Sequence, residues 1–190
     1  MAIQLQFVDN FYKYIAPVLL SNSNNNGSSS STGDQNYVIL FNNIINTSGT
    51  IVSSPIDITH QYNATGYGKF NYMSFAFGSG TKQVSGDDYE LQTKISSGLT
   101  TSFAGQHFVD NENYQAVLEF TITISNTTQN SMAINEIGLY KSALFVGGSS
   151  YYQYWFLTAR GILDETLNIQ AGDTKTLTAQ LRMPLTAPSV

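Results

Sequence analysis

A strict two-residue alternation of apolar and polar side chains most constrains how this chain of 190 residues folds. The first alternating segment spans 117–124, and one of its faces is formed by Leu118, Phe120, Ile122 and Ile124. The second spans 174–183, and one of its faces is formed by Leu177, Ala179, Leu181 and Met183. Successive side chains of a β-strand point to opposite faces of its sheet, so this period predicts half-buried strands on one core.

Short strand-like segments and turn signals continue through most of the chain. The predicted strands are 37–45, 51–59, 69–77, 89–95, 101–109, 116–124, 134–141, 151–163 and 174–183. The turn signals are Gly86-Asp87-Asp88, Asn126-Thr127-Thr128, Gly147-Gly148-Ser149 and Ala171-Gly172-Asp173. Pro55 lacks a backbone donor, so 51–59 is predicted as an edge or irregular strand. This succession of short strands and turns predicts an all-β fold, a β-sandwich or jelly-roll-like domain.

The amino-terminal segments differ from the rest of the chain. Residues 1–20 are apolar and aromatic, and their spacing fits both a strand and a helical stripe. Residues 21–36 are a low-complexity run of Asn and Ser, which predicts a flexible linker. The chain therefore divides into an apolar arm or first element at 1–20, a linker at 21–36 and a β-sandwich domain at 37–190. We expect 1–36 to contribute little to the sandwich and much to assembly.

The charge pattern excludes several classes of function. Only 11% of the residues are charged, against about 25% in a typical domain, and the net charge is −5. The eight Lys and Arg residues are scattered, so the basic surface of a nucleic-acid-binding protein is missing. No apolar stretch approaches the ~20 residues that span a bilayer. The sequence predicts neither a nucleic-acid partner nor a membrane partner.

The residue types that commonly hold metals or phosphates lack the required spacing. The chain has no Cys, which excludes a thiolate metal site and a cysteine nucleophile. His60 and His107 have no second His three or four residues away. The segment 78–82 lacks the Gly-Lys-Ser/Thr ending of a phosphate loop. We expect no metal and no cofactor.

Carboxylates occur in two places where they could act together. Asp87, Asp88 and Glu90 do not match a twelve-residue calcium loop, and a turn capped by Asp side chains explains them better. Glu119 and Glu136 are a candidate pair, but Glu119 lies on the polar face of its predicted strand. The sequence therefore predicts that the protein is not an enzyme.

The densest aromatic cluster is Tyr151-Tyr152-Gln153-Tyr154-Trp155-Phe156. In an alternating strand its rings fall on both faces, and Tyr and Trp are typical of interface centres. We therefore expect a homo-oligomer that packs through neutral aromatic surfaces, with sugar stacking as the alternative. The candidate interaction residues are Phe7, Phe11, Tyr12, Tyr14, Tyr151, Tyr152, Tyr154 and Trp155.

Five separated segments carry a resemblance to a known family. They are Tyr72-Met73-Ser74-Phe75-Ala76-Phe77-Gly78-Ser79-Gly80, Asp87-Asp88-Tyr89-Glu90-Leu91, Ile134-Asn135-Glu136-Ile137-Gly138-Leu139-Tyr140, Phe156-Leu157-Thr158-Ala159-Arg160-Gly161-Ile162-Leu163 and Ile169-Gln170-Ala171-Gly172-Asp173-Thr174. In this order they resemble the GTGT turn, D-x-x-L stretch, NEIGL strand, L-x-A-R strand and AGDT turn of a family of tailed-bacteriophage virion proteins. The resemblance covers residues 69–183.

Proteins of that family are small β-sandwich components of capsids, necks or tails. The resemblance implies a non-enzymatic structural subunit of a virion, and we expect a capsid decoration or head-fibre-type component. A neck or tail structural protein and a carbohydrate-binding, receptor-binding module are the alternatives. It also implies other virion proteins as partners, and a location in the virion after synthesis in the bacterial host cytoplasm.

The motif residues also have a physical interpretation. Gly138 leaves space for a neighbouring backbone or an aromatic ring, and Arg160 is positioned to pair with Glu136 across strands. Residues 171–173 form a tight turn before the last strand. The candidate structural residues are Asn135, Glu136, Ile137, Gly138, Arg160 and Gly172.

Overall fold

The computed structural model describes residues 2–10, 38–40, 44–52, 55–57, 73–147 and 150–185. The fold is all-β. Its strands are β1 (Ala2–Phe7), β2 (Val38–Leu40), β3 (Ile44–Ile45), β4 (Ile51–Val52), β5 (Pro55–Asp57), β6 (Met73–Gly78), β7 (Leu99–Asp110), β8 (Gln115–Asn126), β9 (Met132–Gly147), β10 (Ser150–Ile169) and β11 (Thr174–Pro184). No helix among these residues is long and apolar enough to cross a membrane.

Seven strands form one sheet in the order β6-β9-β10-β1-β11-β8-β7. The centre of this sheet is β1, which changes partners along its length. Residues 2–5 pair in parallel with 178–181 of β11, whereas Gln6 and Phe7 pair antiparallel with Arg160 and Ala159 of β10. The other neighbours in the sheet are antiparallel. A single short strand thus joins the β6-β9-β10 side to the β11-β8-β7 side.

The sheet curls until strands from its two ends meet across the core. Phe75 of β6 and Phe103 of β7 have ring centroids 5.2 Å apart, and Phe120 of β8 lies 5.2 Å from Phe75. The interplanar angles are 79° and 65°, which is the edge-to-face packing that aromatic rings favour. The core enclosed by this curl includes Ile3, Leu5, Phe77, Ile122, Ile124, Ile134, Ile137, Leu139, Leu177, Ala179 and Leu181.

The alternation seen in the sequence is confirmed in β8 from Phe120 onward and in β11 from Leu177 to Leu181, whereas Leu118 and Met183 are partly buried. Phe120, Ile122 and Ile124 are buried, as are Leu177, Ala179 and Leu181. Gly105 of β7 lies opposite Phe120, and an added Cβ there would approach the Phe120 ring to 3.1 Å. Glycine therefore makes room for one of the three rings that close the curl.

Other strand predictions need correction. Residues 89–95 are not a strand, because this segment belongs to a loop between β6 and β7. Within the described residues, the segments 37–45 and 51–59 form two small ladders, β2 with β5 and β3 with β4. A jelly roll or sandwich is not confirmed, because the seven main strands form one continuous curled sheet.

The prediction that residues 1–36 contribute little to the domain is wrong for residues 2–7. These residues form the central strand β1, and Ile3 and Leu5 are only 3% and 2% exposed. Removing 1–36 would take away the strand that links β10 to β11. The candidates Phe11, Tyr12 and Tyr14, together with the predicted linker 21–36, lie outside the described residues.

We predict that Leu5→Ala lowers the free energy of unfolding by about 2–5 kcal/mol, because it leaves a cavity in the core at β1, the strand that joins the two sides of the sheet. Gln4→Ala is the matched control, since Gln4 is the exposed neighbour on the opposite face of β1 and should change stability by no more than about 0.5 kcal/mol. Urea denaturation of both variants makes the comparison. Equal, small effects would show that β1 is not part of the core.

Candidate functional site

The loop of residues 79–98 covers the outer face of the β9-β10 pair. The Ile95 amide donates to the Phe77 carbonyl at 2.8 Å, which fixes the loop to β6, and the Ser79 amide donates to the Thr93 carbonyl at 2.9 Å, which closes the loop on itself. Leu91 of the loop is buried in a second apolar cluster, which consists of Val8, Leu91, Tyr140 and Leu157. The loop thus gives β9 and β10 a covered outer face in addition to the core face.

A β-bulge decides which way Arg160 points. Leu157 pairs with Tyr140, but the next pair is Ala159 with Leu139, so Thr158 is an extra residue in β10. After the bulge Arg160 lies opposite Gly138, on the same face as Glu136. Without the extra residue Arg160 would lie opposite Ile137, which packs in the core, because a one-residue slip exchanges the two faces of a strand.

The guanidinium of Arg160 has every donor engaged. Its Nε and Nη2 donate to Glu136 Oε2 at 2.9 and 2.7 Å, and its Nη1 donates to Asp88 Oδ2 at 2.7 Å. The remaining donors reach the carbonyls of Lys82 at 3.0 Å and Gln83 at 3.5 Å. The pair between Arg160 and Glu136 that the sequence predicts is therefore present, and Asp88 extends it to a three-residue network.

The carboxylate of Glu136 accepts hydrogen bonds from three backbone amides of the loop. Glu136 Oε1 accepts from the amides of Gly80 at 3.1 Å and Thr93 at 2.8 Å, and Oε2 accepts from the amide of Gln92 at 3.1 Å. Side chains of Glu136 and Arg160 are 0% and 1% exposed. Buried charges are tolerated when paired and fully hydrogen-bonded, and this network satisfies both conditions.

Glycines allow the loop to approach this network. An added Cβ at Gly78 or Gly80 would lie 2.4 or 2.5 Å from Glu136 Oε1. The Gly78-Ser79-Gly80 turn therefore does surround an anion, but the anion is a carboxylate of the protein itself. At Gly138 an added Cβ would lie 2.8 Å from the Tyr140 ring and from Leu157, so this glycine leaves space for an aromatic ring.

Tyr140 adds a second anchor for the loop. Its hydroxyl accepts from the Leu91 amide at 3.1 Å, and the Lys94 ammonium lies 5.3 Å from the ring centroid. Burial raises the pKa of the Tyr140 phenol well above its ordinary value, so the phenol stays neutral. Burial also lowers the pKa of the adjacent Lys141.

An open depression of about 240 Å³ lies above the network. It is lined by Lys82, Asp87, Asp88, Tyr89, Glu90, Leu91, Gln92 and Arg160. A hydrogen bond from the Ser85 hydroxyl is the main cause that lowers the pKa of Asp87. Asp88 Oδ2 also accepts from the Ser85 amide at 2.9 Å, so the turn capped by Asp side chains forms as predicted. Within the described ranges there is no group of three or more His, Cys, Asp and Glu that could hold a metal.

The two glutamates singled out in the sequence do not act as a pair. Glu119 of β8 accepts from Gln180 at 2.6 Å and from Gln106 at 2.7 Å, away from the partners of Glu136. These two hydrogen bonds, Gln180 first, hold the pKa of Glu119 below its ordinary value. Both glutamates are therefore engaged in structural hydrogen bonds. His107 is exposed on β7, and His60 is not among the described residues.

The structure brings most of the candidate structural residues together. Asn135 lies beside the network, and its Nδ2 donates to the Ser79 carbonyl at 2.8 Å. Ile137 packs in the core, while Gly172 lies elsewhere, in a turn with a φ of 76°. The sequence missed Asp88 as a partner of Arg160 and missed the bulge at Thr158. The D-x-x-L stretch was the available signal for Asp88, but apolar alternation carries no signal for a bulge.

The candidate interaction residues whose side chains the structure describes are Phe7, Tyr154 and Trp155. Phe7 is partly buried against the main core, and Trp155 is partly buried against the second apolar cluster. Tyr154 is half-buried. The side chains of Tyr151 and Tyr152 lie outside the described part of the structure. The role of these residues in assembly stays a prediction.

Comparisons with known proteins give little further information. No family model matches the chain, and no curated protein matches it. A solved structure of a Bordetella pertussis protein provisionally called ApaA aligns with a TM-score of 0.27 and 18% identity, over 50% of this chain and 68% of that chain. A likeness of this degree supports no inference about fold or function.

We predict that Arg160→Met lowers the free energy of unfolding by about 3–5 kcal/mol, because it leaves Glu136 buried without a cation. The matched control is Arg182→Met, since the Arg182 side chain is 30% exposed and water can hydrate its partner Asp110. It should have a much smaller effect in the same thermal and urea melts. Equal effects of the two variants would contradict the assignment of Arg160 as the anchor of the loop.

Proposed function

We propose that this chain is a non-enzymatic structural subunit of a tailed-bacteriophage virion, of the capsid decoration or head-fibre type. The observation that carries the proposal is the sheet edge formed by β7. β7 is a strand of 12 residues with one hydrogen-bonded neighbour, β8, among the described strands, and its residues are exposed along almost the whole length. Monomeric proteins usually shorten, charge or cover such an edge, because it can pair with another chain.

One end of β7 also carries exposed apolar side chains. Phe108 and Val109 are 42% and 54% exposed, and Tyr114 and Leu185 lie near the same end of the strand. The Leu185 amide donates to the Tyr114 carbonyl at 2.7 Å, which holds these last two residues together. An exposed edge with exposed large side chains beside it is typical of surfaces that bind protein partners.

The buried network supports the same proposal. Four of the five segments that resemble virion proteins meet there, through residues Gly80, Asp88, Glu136 and Arg160. Each of these residues supports the fold, and their hydrogen-bonding groups are used within the chain. Motifs of this kind are expected of a scaffold whose function is to present a surface, with other virion proteins as its partners.

A carbohydrate-binding module is the second candidate. It is favoured by Tyr89, a ring 37% exposed at the rim of the depression that Asp87, Glu90 and Gln92 also line. An exposed ring beside carboxylate and amide groups can stack on a sugar and accept hydrogen bonds from its hydroxyls. A neck or tail position is a further alternative within the structural proposal.

Quantitative mass spectrometry of particles produced from the genome that encodes this chain tests the proposal. We expect the chain in purified virions at a fixed copy number relative to the major capsid protein, because a structural subunit occupies symmetry-related positions. Its absence from purified particles would contradict the proposal. Binding to host-surface glycans that is lost in Tyr89→Ala, without incorporation into particles, would support the second candidate instead.

A further inference from the structure

The hydrogen-bonding direction of each β7 residue follows from one contact at the end of the strand. The Thr127 amide donates to the Gly98 carbonyl at 2.9 Å, and these residues continue the register in which Leu99 pairs with Asn126. Hydrogen-bonded and non-hydrogen-bonded pairs alternate along an antiparallel ladder. Even-numbered residues of β7 therefore bond to β8, and odd-numbered residues direct their N–H and C=O groups away from the sheet.

The opposite side of β8 gives the same result independently. The Leu185 amide bonds to the Tyr114 carbonyl, so even-numbered residues of β8 face β11 and odd-numbered ones face β7. The register between β7 and β8 runs without a shift from the pair Leu99 and Asn126 to the pair Asp110 and Gln115. The outward-directed backbone groups thus belong to Leu99, Thr101, Phe103, Gly105, His107 and Val109.

The strand carries none of the usual features that block edge pairing. Between Leu99 and Asp110 there is no Pro, Lys or Arg, no bulge, and a single carboxylate at the end, Asp110. Charged side chains, prolines and bulges are the devices by which natural edge strands avoid association. The edge of β7 is regular, neutral and long enough to form a stable ladder.

We infer that β7 binds the β7 strand of a second copy of this chain, antiparallel and related by a two-fold axis. The inference rests on the proposed function as an assembling subunit and names the surface through which two copies meet. Two-fold pairing offers each outward-directed residue a partner on a strand of identical length. Both members of each hydrogen-bonded pair are odd-numbered.

The distribution of charge along β7 favours a second copy of this chain as the partner and an antiparallel orientation. In an antiparallel pair the two Asp110 residues lie at opposite ends of the ladder, and neutral side chains occupy its centre. A parallel pair in register would place Asp110 beside Asp110, and like charges directly opposite each other are destabilising. A neutral strand also gives no electrostatic advantage to a basic partner, despite the net charge of −5.

Amide hydrogen exchange measured by NMR at low and high protein concentration tests the inference directly. Amides of Thr101, Phe103, Gly105 and His107 should exchange rapidly in the dilute monomer and become protected as the dimer forms. Amides of the even-numbered residues should be protected at both concentrations, because they bond to β8. Sedimentation equilibrium should give, over the same range, a rise from the 20.8 kDa chain mass to twice that value.

Thr101→Pro tests the outer edge of β7 separately from the fold, because it removes a backbone N–H that points away from β8 and leaves the β7-β8 ladder intact. It should leave the melting temperature nearly unchanged and raise the dimer dissociation constant about tenfold or more, since the symmetric dimer loses two hydrogen bonds. Ser102→Pro is the matched control and should destabilise the fold, because the Ser102 amide points to β8. If Thr101→Pro misfolds, Thr101→Lys replaces it, with Thr176→Lys on the interior strand β11 as control.

Three outcomes would overturn the inference. A monomer at all concentrations would show that the edge does not self-associate, while incorporation into particles would still support the proposed function. Protection of the odd-numbered amides at every concentration would show that the chain covers its own edge. A dimer that Thr101→Pro and Thr101→Lys leave intact would place the interface elsewhere.

Discussion

The buried contact between Arg160 and Glu136 is the interaction on which the outer half of this structure depends. Removing two charges from water carries a desolvation penalty of several kcal/mol for each ion, which only close pairing and complete hydrogen bonding can offset. Here the two side chains are 2.7 Å apart at Nη2 and Oε2, and the loop of residues 79–98 supplies most of the remaining partners. The loop and the ion pair therefore stabilise each other. Without the loop the pair is hydrated, and without the pair the loop loses the hydrogen bonds that its Gly80, Gln92 and Thr93 amides make to Glu136.

Several sequence features that look independent follow from this one contact. Gly78 and Gly80 are required because the Glu136 carboxylate lies where their side chains would be. The bulge at Thr158 places Arg160 on the face of Glu136, and Gly138 leaves room for the Tyr140 ring that binds Leu91. Residues more than 70 positions apart are thus held by a single constraint, as in the 2.7 Å contact between Arg160 and Asp88.

Sequence periodicity predicted the parts of the fold that depend on local alternation. The buried faces of β8 and β11 are examples, because Phe120, Ile122, Leu177 and Ala179 follow a period of two without interruption. It failed for 89–95, where apolar residues anchor a loop. It also could not predict the bulge at Thr158 or the parallel pairing of β1 with β11, because both depend on long-range packing. The Glu136 and Arg160 pair was predictable because charged residues inside apolar segments require a partner.

The anchored loop uses its polar groups within the chain, and the edge strand β7 has no second paired neighbour among the described strands. Every donor of the Arg160 guanidinium is engaged within the chain. The chain has only two arginines, Arg160 and Arg182, so their Nε–H groups provide an internal comparison by NMR. We predict that the Arg160 Nε–H signal exchanges with water far more slowly than that of Arg182, whose side chain is 30% exposed. Similar, fast exchange of both signals would contradict it.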